Sequence, residues 1–171
     1  MKNKQKLTIN IFDEDVFNEY GVDGEETLQD ELTDTIEKKA NTQKLSTELE
    51  INVVKPENSK INNEQFALAF KNTFKDKINT VKHECSRCVL TGLILLMVGI
   101  GMLALDVFVL EPLNYFVYEF FNVFAWVFCW GGIEVLTIEL TQLIIEIKKS
   151  KRILNSTLTL ENTHKKEKQK K

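Results

Sequence analysis

Two long apolar runs, residues 89–110 and 116–136, stand five residues apart and limit what this 171-residue chain can become. The first carries a single charge, Asp106; the second carries Glu119 and Glu134. A helix of such a run rises about 33 Å, against a hydrocarbon core of about 30 Å. Soluble core helices are rarely this apolar for this long, and rarely twice in succession. The runs therefore read as two transmembrane helices. The link Glu111-Pro112-Leu113-Asn114-Tyr115 is too short to recross a bilayer. Pro112 interrupts a helix and Asn114 suits a turn, so the two helices are expected to be antiparallel neighbours.

Orientation follows from the basic residues at the span ends. Lys82 and Arg87 precede the first span; Lys148, Lys149, Lys151 and Arg152 follow the second; the link has neither Lys nor Arg. The positive-inside rule places both termini in the cytoplasm and the link outside. With a long polar stretch ahead of the first apolar run, no cleavable signal peptide is expected. The expected location is the cell membrane, crossed twice.

The net charge of −3 hides three unlike parts: residues 1–80 carry −5, residues 81–146 carry −5, and residues 147–171 carry +7. The basic end, Lys165-Lys166-Glu167-Lys168-Gln169-Lys170-Lys171, either lies against an anionic inner leaflet, at about 1 kcal/mol per basic group, or is simply solvated. It lacks aromatic residues for base stacking and a folded basic face, which argues against nucleic-acid binding.

Residues 1–81 read as a small acidic α/β unit. Leu7, Ile9 and Ile11 alternate along one strand, and Leu49, Ile51 and Val53 along a second, with Glu48, Glu50 and Asn52 on the opposite face. Between them, Glu25 to about Thr42 has a helical pattern through Leu28, Leu32 and Ile36, with Asp23 and Glu26 placed for a capping box. Strand, helix, strand implies a parallel pair. Next comes a strong helix start: Asn62 as N-cap, Gln65 at the third helical position, and Ile61 with Phe66 as a hydrophobic staple. Phe66, Phe70, Phe74 and Ile78 then form an amphipathic stripe, continued by Val81. The stripe covers the two strands, lies on the bilayer surface, or meets the same stripe of a second subunit. No Pro or Gly falls between Asn62 and Thr91, so this helix can run on into the first span.

The resulting fold class is an α+β membrane protein: a cytoplasmic β-α-β-α unit over residues 1–81, then an antiparallel two-helix transmembrane hairpin with cytoplasmic helix extensions. The first transmembrane helix covers 82–110, the external turn 111–115, the second helix with its extension 116–153, and a basic disordered tail 154–171. The stripe Ile133, Leu136, Leu140, Leu143, Ile144 and Ile147 carries the second helix beyond the membrane.

Charges within spans are costly and call for a reason. Asp106 and Glu119 lie near the outer ends of their helices. Folding the hairpin about Leu113 sets Glu134 and Glu139 opposite Arg87, which suggests an ion pair at the inner boundary, unless these groups snorkel to water. The middle of each span is uncharged, so no relay of acidic groups runs through the midplane, and a transporter is not expected. Gly92 and Gly99 share a face of the first span; Ala125, Cys129 and Gly132 form a small-residue stripe on the second. Such residues let helix backbones approach closely. Beside them, Phe116, Phe120, Phe124 and Phe128 form a bulky stripe.

Cys85 and Cys88, in His83-Glu-Cys-Ser-Arg-Cys, resemble half a zinc site, but four ligands are normally required. They read as reduced packing residues or as half-sites paired in a dimer. Cys129 reads as a small packing residue. With histidine only at His83 and His164, the sequence has no metal, phosphate or nucleophile-base constellation. No cofactor, small-molecule substrate or enzymatic activity is expected.

The stretch Phe124-Ala-Trp-Val-Phe-Cys-Trp-Gly-Gly-Ile-Glu-Val-Leu, followed by Ile147-Lys-Lys-Ser-Lys-Arg-Ile-Leu, resembles a family of uncharacterised bacterial two-span membrane proteins, a domain of unknown function. The resemblance extends over much of residues 5–158 and includes a short strand like Leu7–Phe12. It implies a two-span fold and no reaction. Two functions fit these readings. One is a membrane interaction or scaffold protein that anchors the cytoplasmic unit and self-associates or binds a larger membrane partner. The other is a membrane-perturbing effector of a stress or defence system.

Overall fold

The computed structural model describes residues 4–11, 16–18, 26–45, 47–56, 61–105 and 115–162. In chain order the elements are β1 (Lys4–Asn10), α1 (Asp30–Asn41), β2 (Glu48–Lys55), α2 (Asn63–Leu105), α3 (Tyr115–Glu134), a π-helical turn (Val135–Glu139), α4 (Leu140–Leu154) and β3 (Thr157–Asn162). The protein is thus α+β, with a small parallel sheet and long helices. It forms two compact units, one of Met1–Asn79 with Lys148–Lys171, the other of Thr80–Ile147.

The first unit is built on a three-stranded sheet in the order β1-β2-β3, parallel throughout. Parallel strands cannot be joined by a tight turn, and α1 supplies the crossover from β1 to β2. Leu7, Ile9, Leu49, Ile51 and Val53 turn to one face of the sheet. They form a single core with Ile36 and Ala40 of α1, Phe66, Ala69, Phe70 and Phe74 of α2, and Ile153 of α4. The aromatic stripe of α2 therefore covers the sheet, and Phe70 and Phe74 also meet ring to ring at 4.8 Å. Ile78 is buried as well.

The start of α2 is set by its sequence. Asn62 Oδ1 accepts the Glu64 backbone N–H at 3.1 Å, satisfying one of the amides that a helix start leaves free. Ile61 and Phe66 both enter the core. From Asn63 the helix continues to Leu105 without a break.

Three features depart from the sequence reading. First, residues 157–162, read as part of a disordered tail, form β3. Their alternation Thr-Leu-Thr-Leu is a strand signal, which the basic run after it obscured. Second, α1 begins at Asp30, not near Glu25, and Gln29 at its N-cap makes no side-chain capping bond. Leu28 lies in an isolated antiparallel bridge with Phe17, and the backbone pairs there through Asn18 N–H to Thr27 O at 3.0 Å and Gln29 N–H to Val16 O at 2.9 Å. Its spacing from Leu32 and Ile36 imitates a helical stripe, because burial alone does not tell the two apart. The Asp23 half of the proposed capping box lies outside the described residues. Third, the face opposite Leu49, Ile51 and Val53 is not polar and open throughout, for Asn52 is closed off there. That residue is fully buried in the central strand, and its Nδ2 donates to Glu161 Oε2 of β3 at 2.9 Å.

Side chains tie the unit together across long stretches of sequence. Thr73 Oγ1 of α2 accepts the Leu28 backbone N–H at 2.8 Å and donates to Ala69 O at 2.8 Å. Lys77 of α2 and Glu37 of α1 form an ion pair at 2.6 Å. Arg152, near the end of α4, uses its whole fork: Nε donates to Thr47 O at 3.0 Å, Nη2 to Thr47 Oγ1 at 3.0 Å, and Nη1 to Gln43 O at 3.3 Å. The guanidinium thus fastens the last turn of α4 to the connection between α1 and β2. Partial burial lowers its pKa from the usual arginine value.

Candidate functional site

In the second unit two helices approach closely, and glycine makes it possible. A methyl group built on Gly92 would lie 2.6 Å from Leu136 Cγ and 3.3 Å from the Gly132 carbonyl oxygen. One on Gly99 would lie 2.5 Å from Cys129 Sγ, 2.8 Å from the Cys129 backbone nitrogen and 3.0 Å from Ala125 O. One on Gly132 would lie 2.9 Å from Gly92 O and 3.0 Å from Leu96 N. Backbone therefore meets backbone, which only a residue without Cβ permits at these points.

Gly92, Gly99, Ala125, Cys129 and Gly132 are thus brought into one seam. Gly92, the earlier residue on α2, meets Gly132 and Leu136, while Gly99, the later one, meets Ala125 and Cys129. The reversed order is that of two antiparallel helices. Ala125 is fully buried. Gly101 and Gly131 are not part of the seam: nothing lies within 4 Å of a methyl at Gly101, and at Gly131 only Leu95 Cδ1 comes as near as 4.0 Å.

Away from the seam the same helices are apolar and open. Met97 is 72 % exposed, Trp126 63 % and Trp130 68 %, and Leu93, Ile94 and Val127 are exposed beside them. The aromatic stripe of α3 lies near the surface too, with Phe120 and Phe124 stacked obliquely at 4.6 Å. By length and composition, α2 and the helical stretch Tyr115–Leu154 are two helices able to cross a membrane, and 17 % of the apolar window in each is buried. The core helix of a soluble protein shows the opposite balance.

At the end of the seam, Cys88 Sγ donates to the Val135 carbonyl oxygen at 3.5 Å. Val135 opens the π-helical turn, and its carbonyl also accepts the Leu140 N–H, five residues on. A π turn widens the helix and weakens its regular ladder. Hydroxyls supplement the bonding here: Thr137 Oγ1 donates to Ile133 O at 2.7 Å, and Thr141 Oγ1 donates to Thr137 O.

The expected contact of Arg87 with Glu134 or Glu139 is not made. All three residues are exposed, and among the described residues no salt bridge joins them. For Glu134 the reason is angular. Cys88 and Val135 face each other, so Arg87 and Glu134, each one residue away, are turned by about 100° to the flanks of the contact. Asp106 and the link through Asn114 lie outside the described residues, as does His164. Cys85 and Cys88 are unbonded thiols, and among the described residues no group of three or more His, Cys, Asp or Glu side chains is arranged to hold a metal.

The π turn and the Arg152 clamp were not anticipated from sequence. Thr137 and Thr141, four apart at the end of an apolar run, are a weak local cue for the first; Arg152 was hidden within a basic cluster. No protein-family model, curated protein or solved structure matches the chain.

Proposed function

We propose that this chain is an integral membrane interaction or scaffold protein. In this reading α2 and α3 form a two-pass transmembrane hairpin in the cell membrane, with both termini cytoplasmic. The hairpin anchors the α/β unit and associates with a second copy or with a larger membrane protein. The observation that carries the proposal is the contrast between the two sides of each helix. One side is closed by glycine-mediated contact, and the other presents Leu93, Ile94, Met97, Trp126, Val127 and Trp130 uncovered. Continuous apolar surface of this kind calls for lipid or another membrane helix. The basic residues flanking the spans agree with it.

Three measurements on the full-length protein test the reading. It is expected to stay with membranes through alkaline carbonate extraction. A cysteine at Asn114 is expected to react with an impermeant maleimide from outside intact cells. Amine-reactive crosslinking in native membranes is expected to give species larger than the monomer. Release by carbonate overturns membrane integration; protection of the Asn114 site overturns the orientation; monomer alone, with no co-purifying partner, overturns the scaffold role.

A further inference from the structure

On α3, Asn122, Trp126 and Trp130 follow one another at every fourth residue and so share one ridge, which Ile133 extends. Trp126, Trp130 and Ile133 are exposed, and Asn122 is half-buried. The three polar side chains lie about 10, 16 and 22 Å along the helix from Tyr115, across the middle of a hydrocarbon core of about 30 Å. Tryptophan ordinarily sits at the two interfaces instead. Each of the three carries hydrogen-bond donors, two on the Asn122 amide and one on each indole. Among the described residues none of them has a hydrogen-bond partner. Hydrocarbon holds no acceptor, so a donor left unpaired there is costly.

We infer that this ridge docks a transmembrane helix of another protein, one that presents Ser, Thr, Asn or Gln oxygens near the bilayer midplane. The inference rests on the membrane-spanning reading of α3 and names the surface its partner takes. A second copy does not supply what the ridge lacks. Two copies in one membrane share an orientation, and a twofold axis sets equal depths opposite each other. Trp126 then faces Trp126 and Trp130 faces Trp130, donor against donor, and only Asn122 can pair with itself. Another face of the same chain serves no better at the depth of the indoles. Residues 92–105 of α2 have no side-chain nitrogen or oxygen, and residues 123–133 of α3 have none besides the two indoles. Lipid acyl chains offer no acceptor either. The ridge therefore fits a foreign helix, joined by the interhelical hydrogen bonds through which polar side chains hold membrane helices together.

The test uses the full-length protein in native membranes, with the photoreactive residue p-benzoylphenylalanine in place of Ile133. Illumination is expected to give one discrete adduct with another membrane protein. The same probe in place of Phe120, exposed on a different side of α3, is expected not to give it. Trp126→Phe combined with Trp130→Phe keeps an aromatic ring at each position and removes both indole donors, so the adduct should fall about tenfold or more. Asn122→Leu should lower it too, and Phe120→Leu should leave it unchanged. Where the double variant fails to accumulate, Trp126→Phe and Trp130→Phe are read singly, each losing part of the yield. Mass spectrometry should place the crosslink in a transmembrane segment of the partner, and replacing the nearest Ser, Thr, Asn or Gln there by an apolar residue should reproduce the loss. A crosslinked dimer of this chain, adducts with lipid alone, or a partner adduct that survives removal of the indole donors overturns the inference. If alkaline carbonate releases the protein, the membrane reading and this inference fall together. If the protein stays integral and amine-reactive crosslinking still yields larger species while the Ile133 probe captures only lipid, the scaffold reading stands and docking on this ridge falls.

Discussion

Gly99 of α2 and Cys129 of α3 touch so closely that a methyl group on Gly99 would lie 2.5 Å from the Cys129 sulfur. Both helices are held at the separation that a bare backbone allows. Gly99→Ile, and likewise Gly92→Ile, must push them apart and should cost about 1–3 kcal/mol, as overpacking does. Gly101→Ala, where a methyl meets nothing within 4 Å, should change stability by no more than about 0.5 kcal/mol. Reversible unfolding of the whole protein in mixed micelles checks the contrast; equal effects at Gly99 and Gly101 would dismiss the seam.

Arg152 donates three hydrogen bonds to the connection between α1 and β2. Arg152→Ala should destabilise the α/β unit by about 2 kcal/mol, the sum reduced by partial exposure. Arg152→Lys keeps the charge but not the planar fork, so it should recover less than half of the loss. Burial lowers the Arg152 pKa, yet both folded and unfolded forms stay protonated near neutrality. The loss should therefore be flat from about pH 5 to 9. Denaturation curves across that range read both outcomes.

The Thr73 hydroxyl holds the Leu28 amide at 2.8 Å. Thr73→Val preserves the side-chain shape and leaves that donor without a partner, at about 1–3 kcal/mol. Thr73→Ser should be close to neutral. Hydrogen exchange at the Leu28 amide should accelerate in the valine variant alone.

Phe74 is fully buried beneath the sheet, whereas Leu68, on the same helix, is 52 % exposed. Phe74→Ala should cost about 3–5 kcal/mol. Leu68→Ala should fall within about 0.5 kcal/mol of the parent. Comparable effects from the two would contradict the placement of the aromatic stripe against the strands.

Asn52 Oδ1 is buried without a hydrogen-bond partner while its Nδ2 meets Glu161. Replacing it by valine removes the orphaned acceptor and suits a central strand but also takes the Nδ2 donor from Glu161, so the effects oppose each other and Asn52→Val should fall within about 1 kcal/mol of the parent. A thermal scan showing a marked loss would mean that the amide specifies the β2–β3 register.

Local signals in the sequence carried well. The Asn62 N-cap and the alternation in β1 and β2 each state a backbone requirement that neighbouring residues alone can express. The failures are cases where a longer-range partner decides. Leu28 has helical spacing, but its amide belongs to Thr73. Asn52 stands on the face opposite Leu49, Ile51 and Val53, and only β3, through Glu161, supplies the partner for its amide. Arg87 and Glu134 lie at matching depths along their helices, and depth does not reveal which way each one turns.

The position of β3 in the chain has a consequence for biosynthesis. Asn52 and Glu161, bonded across the sheet, are 109 residues apart in sequence. Everything between them, including both apolar helices, must leave the ribosome before the third strand exists. Until then β1 and β2 have only α1 and the start of α2 to pack against, and the core lacks Ile153, Leu158 and Leu160. The α/β unit therefore completes its fold only after the two apolar helices have been made. A nascent chain halted before Thr157 should remain open to protease and to chaperones, and become resistant once Asn162 has emerged.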